Sequence, residues 1–258
     1  MSEKWSASTY LKFEDDRNRP ANDLLNAIAT LPPGRIIDVG CGPGNSTELL
    51  INRYPDRVVS GFDPSDDMLE KARARLPNVA FDKADVTVWT PPKDAALLYS
   101  NAVFQWVPDH VDQMIRLVSE LPEGAALAMQ VPDNLGEPSH VAMAETAAEP
   151  DFAPLMPPTP GREKILSPRD YIAALQPYAA RVEVWRTVYH PLLDGIDGII
   201  AWFKGSGLRP FLRGLDEETE TAFIASYRRK LKAAYPLLPD GRVALPFPRV
   251  FVIAIAKG

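Results

Sequence analysis

A glycine-rich turn between an apolar run and a helix start is the feature that most limits how this chain can fold. Residues 35–47 read RIIDVGCGPGNST. The apolar residues before the turn predict a buried strand, and the polar residues after it predict a helix cap. Gly40, Gly42 and Gly44 have no Cβ that would keep a ligand from the backbone, and the first N–H groups of a helix are unpaired. The segment therefore predicts a site for a ligand that carries a carboxylate or a phosphate.

The spacing of these glycines indicates the class of ligand. A dinucleotide-binding turn has the pattern Gly-x-Gly-x-x-Gly, whereas here Gly44 comes one residue early and is followed by Asn45. Nicotinamide dinucleotides are therefore disfavoured. A second apolar run ends in Asp63, nineteen positions after Gly44. A carboxylate at such a strand end accepts from both hydroxyls of a ribose, so we expect a ligand with an intact ribose.

Strand and helix patterns alternate through the first half of the chain. Apolar runs predict strands over 35–39, 58–62, 79–82, 95–100 and 125–131. Helices are predicted over 21–31, 46–54, 66–76 and 109–121. This alternation predicts an α/β fold with a doubly wound, mostly parallel, Rossmann-like sheet.

The alternation breaks after residue 131. Residues 132–168 are polar and rich in proline, with a cluster at 157–160, and we interpret them as a functional loop or lid. Further elements are predicted as helices over 168–176, 196–204 and 217–235 and as strands over 182–189 and 250–256. We expect one domain over 1–258, with a cofactor-binding core over 20–131 and substrate-cap insertions over 132–180 and 191–246.

Composition argues against several classes of function. The net charge of −6 disfavours a nucleic-acid-binding surface. The single cysteine, Cys41, excludes an internal disulfide, and the three histidines lack metal-ligand spacing. No leader segment and no membrane-length apolar run is evident, so we expect a cytoplasmic protein without a metal, a nucleic-acid partner or a membrane partner.

Three features together resemble the class I S-adenosylmethionine-dependent methyltransferases. They are the alternating glycines after Asp38, the acid at Asp63 and the step from Ala84 to Asp85 after the third short strand. The resemblance implies that S-adenosylmethionine is the cofactor.

Segments outside the cofactor turn narrow the resemblance to the trans-aconitate 2-methyltransferase family. These segments include YLKFEDDRNRP at 10–20, NAVFQWVPDH at 101–110, QVPDNLGEPSH at 130–140, WRT at 185–187, GLRP at 207–210 and FPR at 247–249. The family implies transfer of the sulfonium methyl group to a carboxylate of trans-aconitate, which gives a monomethyl ester and S-adenosylhomocysteine. A carboxylate with a pKa of about 4 to 5 is already ionised at neutral pH, so no general base and no catalytic residue is predicted.

The resemblance implies roles for further residues at the cofactor. Asp85 is expected to accept from the adenine amino group, and Asp38 to orient the turn or the methionyl ammonium. Asn101 is expected near the methionyl group and the transferred methyl group. The remaining candidates are apolar residues that either contact the cofactor or pack in the core, namely Met68, Phe104 and Trp106.

A substrate with three carboxylates requires several cationic or hydrogen-bonding groups, and arginine binds a carboxylate through two N–H groups. The candidate arginines are Arg17, Arg19, Arg209 and Arg249. The candidate helpers are Tyr10, Gln130, Asn134 and His140. Two alternatives stay open from the sequence, a methyltransferase for another small-molecule acceptor and a non-catalytic cofactor-binding module. The oligomeric state is not predicted.

Overall fold

The computed structural model describes residues 14–156 and 162–257, with side chains from residue 18 onward. The described chain forms two compact units. Residues 18–132, 162–187 and 249–257 make up the first, which we call the sheet unit. Residues 133–156 and 188–248 make up the second, which we call the helical unit.

A seven-stranded sheet organises the sheet unit. Its strands are β1 (Arg35–Val39), β2 (Val59–Asp63), β3 (Ala80–Lys83), β4 (Ala95–Asn101), β5 (Ala126–Pro132), β6 (Ala179–Tyr189) and β9 (Phe247–Ala256). The strand order is β3-β2-β1-β4-β5-β9-β6. The first five strands pair in parallel, whereas β9 runs antiparallel to β5. The carboxyl ends of β1, β2, β4 and β5 therefore lie at one edge of the sheet.

The described helices of four or more residues are, in chain order, α1 (Glu14–Ala27), α2 (Asn45–Arg53), α3 (Asp66–Arg75), α4 (His110–Glu120), α5 (Pro138–Ala147), α6 (Pro168–Leu175), α7 (Gly195–Lys204), α8 (Arg209–Leu212) and α9 (Glu217–Ala234). Several begin at side chains that cap them. Ser65 accepts from the backbone N–H of Met68 at the start of α3, and Ser167 accepts from that of Asp170 at the start of α6.

Helices α5, α7, α8 and α9 belong to the helical unit together with a short antiparallel pair, β7 (Leu192–Leu193) and β8 (Val243–Ala244). Helix α9 packs against α5 and α7. Between α5 and α9, the Tyr235 hydroxyl accepts from the backbone N–H of Ser139 at 3.0 Å.

The α/β, mostly parallel architecture predicted from the alternating patterns is confirmed. The buried strand residues explain why the pattern is strong, since all seven residues of β5 are buried. A sheet covered on both faces gives continuous apolar runs.

Two local predictions are wrong. The described part of helix α1, Glu14–Ala27, already includes seven residues before the predicted start, contains Pro20 and ends four residues before the predicted end. Residues 132–168 are not simply a loop, because they include α5 and a 3-10 turn over Ala153–Leu155. The buried side chains of α5 are Ser139, Ala142, Met143 and Thr146, and only Met143 is large and apolar, so the helix has a weak apolar stripe in the sequence.

The unit boundary also differs from the predicted cap, because residues 162–187 belong to the sheet unit. Tyr171 and Leu175 of α6 lie in the same hydrophobic core as Met114 and Leu117 of α4. In the described ranges, no helix is both long and apolar enough to cross a bilayer. The cytoplasmic location stays a prediction.

Candidate active site

The glycine turn joins β1 to α2 at the carboxyl edge of the sheet. Gly40, Gly42 and Gly44 have φ angles of +67°, +54° and +90°. These are left-handed conformations that side chains disfavour, which explains the glycines. A Cβ on Gly40 would lie 2.5 Å from a methyl group of Val103, so the turn packs directly against the loop after β4.

Gly42 differs from Gly40 because a Cβ there would meet no described atom within 4 Å. The backbone at Gly42 therefore borders open space. Its N–H donates to Oδ2 of Asp63 at 3.0 Å, and the backbone N–H of Ser65 donates to Oδ1 at 2.9 Å. Asp63 is half-buried at the end of β2, and each carboxylate oxygen keeps a further lone pair for a ligand. The two positions predicted to meet the cofactor thus lie side by side.

Asp38 lies in β1, two residues before Gly40, and is fully buried. Its Oδ2 accepts from the Ser46 hydroxyl at 2.7 Å and the Thr47 hydroxyl at 2.6 Å, which ties β1 to the first turn of α2. Burial raises its pKa to about 6; the hydroxyls of Thr47 and Ser46 oppose the rise, and the charge of Asp63 adds to it. Of the two roles predicted for Asp38, orienting the turn matches these contacts.

Replacement of Asp38 by asparagine should change how stability depends on pH. An Asp in the unfolded chain has a pKa of about 3.9, so between about pH 4 and 6 the unfolded state loses the Asp38 proton while the folded state keeps it. The contribution of Asp38 to the free energy of unfolding of the wild type therefore falls by up to about 3 kcal/mol as the pH rises through that window. The asparagine side chain does not titrate. In urea unfolding of the ligand-free protein from pH 4 to 7, the free energy of unfolding of Asp38→Asn should rise relative to that of wild type as the pH rises. A difference that stays constant with pH would contradict this.

A second set of polar side chains follows β4 and β5. Gln130 is buried near the end of β5 and pairs with Asn101 across the two strands. Its Nε2 donates to Oδ1 of Asn101, and its Oε1 accepts from Nη1 of Arg249 at 3.1 Å. Arg249 is buried on β9, opposite Pro132. The structure therefore joins a predicted cofactor residue to two predicted substrate residues.

The loop after Asn101 is held in a strained conformation. Ala102 has a φ of +60°, its N–H donates to the backbone carbonyl of Gln130 at 2.9 Å, and its own carbonyl accepts from Nε2 of Gln105 at 2.6 Å. Non-glycine residues with this backbone are uncommon and often occur at functional sites. The contacts place Val103 against the glycine turn.

Comparisons with known proteins cover both units. A family model described as "Methyltransferase domain" matches residues 36–121, which hold β1 to α4. The chain is 52% identical to a trans-aconitate 2-methyltransferase of Agrobacterium fabrum, over 98% of this chain and 99% of that protein. It is 50% identical to one of Rhodopseudomonas palustris, over 97% and 98% respectively.

The chain belongs to the trans-aconitate 2-methyltransferase family. Among solved structures, the YcgJ protein of Bacillus subtilis resembles the fold with a TM-score of 0.57 at 14% identity, covering 93% of this chain and 99% of that one. At such identity the likeness concerns the fold alone.

For this member of the trans-aconitate 2-methyltransferase family, the structure favours core packing, one of the two roles left open for Phe104. Phe104 is completely buried in the hydrophobic core with Leu98 and Met114, so it offers no surface to a ligand. Trp106 is 53% exposed, and the guanidinium of Arg162 lies 5.8 Å from its ring centroid. The neighbouring aromatic residues thus have different roles, with Phe104 in the core and Trp106 at the surface.

The two candidates for a contact with adenine are Asp85 and Met68. Asp85 is exposed, and its Oδ1 accepts from the backbone N–H and the hydroxyl of Thr87 at 2.9 and 2.8 Å. Met68 is half-buried in the first turn of α3. Their contacts with adenine stay predictions.

The remaining substrate candidates of this family member fall in three places. Asn134, His140 and Arg209 belong to the helical unit, where Asn134 is buried, His140 packs edge-on to Phe203 at 5.0 Å and Arg209 is exposed. Arg19 is exposed on α1. Tyr10 lies outside the described residues, and so does the side chain of Arg17.

Sequence reasoning missed three supporting residues. Val103 fills the space that Gly40 leaves, Gln105 holds the carbonyl of Ala102, and Arg162 donates to the carbonyl of Pro132 at 2.7 Å. No local pattern identifies them, because each acts on a segment distant in the chain or on a strained carbonyl. In the part of the chain that the structure describes, no group of three or more potential ligands is placed to hold a metal ion.

Proposed function

We propose that this protein transfers the methyl group of S-adenosylmethionine to a carboxylate of trans-aconitate, with S-adenosylhomocysteine and a monomethyl ester as products. One observation carries the proposal: relatives named for this reaction are 50–52% identical over at least 97% of the chain. The aligned region extends beyond the match to the methyltransferase family model, which ends at residue 121, and includes residues of the helical unit.

The glycine turn fits this cofactor. Gly42 leaves open space that a Cβ would fill, and the half-buried carboxylate of Asp63 beside it suits a ribose. The N-terminal N–H groups of α2 favour a carboxylate such as that of the methionyl group. When bound, S-adenosylmethionine supplies a methyl group activated by positively charged sulfur.

The residues of the chain then act by binding and orientation. An ionised acceptor carboxylate needs no base, so holding its oxygen in line with the methyl carbon and sulfur, at roughly 3 Å, supplies the rate enhancement. Asp63 and the turn would hold the nucleoside. Arginines among the substrate candidates would neutralise the carboxylates that do not react.

Assays with isotopically labelled cofactor test the proposal. The purified protein should methylate trans-aconitate in preference to citrate, isocitrate and a panel of phenols. The labelled product should release methanol in mild base, as an ester does. A base-stable ether or amine product would contradict carboxylate methylation, and cofactor binding without turnover would favour a non-catalytic module.

Arg209→Ala tests the substrate arm of the proposal. Arg209 is exposed at the start of α8, and loss of one charge-assisted hydrogen bond to a carboxylate costs about 1.5 kcal/mol or more. We expect the KM for trans-aconitate to rise roughly tenfold while that for the cofactor changes less than twofold. Arg213→Ala, an exposed arginine directly after the same helix, is the matched control and should leave both values unchanged. Equal effects on both substrates would remove Arg209 from the acceptor site.

A further inference from the structure

Three side chains of the sheet unit form a hydrogen-bonded series that ends at the carboxyl edge. Arg249 donates to Gln130 at 3.1 Å, and Gln130 donates to Asn101. Arg249 is 7% exposed and Gln130 is 1% exposed, so the hydrogen bond between them is shielded from water. Asn101 is half-buried at the last position of β4. We call these residues the amide relay.

The chemistry of arginine fixes the direction of every bond in the amide relay. A guanidinium carries only donors, so the atom of Gln130 that faces Arg249 must be the oxygen. The amide nitrogen of Gln130 then faces Asn101, and the atom of Asn101 that receives it must be its oxygen. Both amide orientations therefore follow from the donor and acceptor chemistry of the three side chains.

These bonds determine which atom of the Asn101 amide is left to bind a ligand. With Oδ1 engaged by Gln130, Nδ2 is the free end of the amide, and it has no hydrogen-bond partner among the described residues. Asn101 therefore offers two N–H donors at the edge of the sheet where Gly42 and Asp63 also lie. The reversed amide would offer an oxygen, which repels an anionic oxygen.

We propose that Gln130, fixed by Arg249, is a positioning residue that turns the Asn101 amide so that its N–H groups bind a carboxylate ligand. The inference rests on the proposed function and deepens it, since both the methionyl group of the cofactor and the acceptor carry carboxylates. It gives Gln130 and Arg249 a role in selecting acids over amines, in place of direct contact with substrate.

Gln130→Glu reverses the amide relay with almost no change in volume. Glutamate still accepts from Arg249 but has no donor for Asn101, so the Asn101 amide rotates to donate inward and presents Oδ1 outward. Gln130→Met removes both bonds and leaves the Asn101 amide free to adopt either orientation. We expect carboxylate binding to fall about tenfold in Gln130→Glu and about threefold in Gln130→Met. A merely structural role gives the opposite order, because glutamate keeps the bond to Arg249 and methionine does not.

Two assays identify which carboxylate is involved. Calorimetry with S-adenosylhomocysteine reports on the methionyl carboxylate and needs no turnover, whereas the KM for trans-aconitate reports on the acceptor. A loss in either assay, in the expected order, supports the inference. The calorimetric arm stays informative even if trans-aconitate is not methylated, so failure of the proposed function is distinguishable from failure of the relay.

Double variants that also carry Asn101→Ala test whether Gln130 acts through Asn101. If Gln130 acts through Asn101, Gln130→Glu and Gln130→Met have no further effect on either constant once Asn101 is alanine. Cooperative thermal unfolding of each variant establishes folding, and Gln130→Met carries the comparison if Gln130→Glu does not fold. Unchanged constants in the folded single variants, the opposite order, or an equal loss in the alanine background would overturn the inference.

Discussion

Alanine at Gly42 should weaken the binding of S-adenosylhomocysteine at least 100-fold, the largest effect we expect from a single methyl group in this chain. The added Cβ would enter the open space beside the turn, where no described atom lies within 4 Å, and would occupy the position of the ligand. A 100-fold loss corresponds to about 2.7 kcal/mol. The φ of +54° also disfavours alanine, at a cost in stability of about 1–2 kcal/mol.

Gly124→Ala separates the two costs. Gly124 has a φ of +76°, also has open space at its Cβ position, and lies in the same unit just before β5, away from the carboxyl edge. Its backbone N–H, which donates to Ala256, is kept in the variant. Calorimetry and urea unfolding should show similar losses of stability for both variants and a loss of ligand affinity for Gly42→Ala alone. Equal affinities in the two variants would mean that the turn does not contact the cofactor.

The sequence was sufficient for the sheet because the buried parallel strands are short apolar runs separated by clear helix starts. Each predicted strand through β5 agrees with the observed one to within a residue at either end. The predicted helix over 21–31 starts just after Pro20, whereas helix α1 contains Pro20, six residues after Glu14, and ends at Ala27. Helix α5 was missed because only Met143 among its buried side chains is large and apolar, so the apolar pattern is weak.

The sequence predicts the parts of the candidate site that lie at strand ends and in the glycine turn. Gly42 and Asp63 follow from strand ends and turn spacing, and the structure brings them within a hydrogen bond. The sequence left the burial of Phe104 open, and the hydrogen bonds of Gln130 were not predictable, because they depend on strands that pair across long sequence separations. Gln130 and Arg249 are 119 residues apart in the chain.

Asp63→Ala is expected to weaken cofactor binding by about 10- to 100-fold, because hydrogen bonds to a charged group contribute about 1.5–3 kcal/mol. The same substitution removes the acceptor for the N–H groups of Gly42 and Ser65, at 3.0 and 2.9 Å. The free energy of unfolding should therefore fall by about 1–2 kcal/mol while unfolding stays cooperative. Isothermal calorimetry with S-adenosylhomocysteine measures the first effect, and urea unfolding measures the second.

Asp82→Ala is the matched control for Asp63→Ala, since Asp82 is an exposed acid on the neighbouring strand β3. Asp82 is paired with Phe62, one residue before Asp63 in the register, so its side chain lies on the opposite face of the sheet near the same strand ends. Its replacement removes the same charge, so a general electrostatic effect on the ligand appears in both variants. A ribose contact appears only at Asp63. Asp63→Asn refines the comparison, because the asparagine oxygen can still accept from Gly42 or from Ser65, whereas its NH2 group faces the other N–H group as a donor and the side chain has no charge. We expect Asp63→Asn to recover part of the stability and part of the affinity, and recovery of the full affinity would show that Asp63 shapes the turn without binding the ribose.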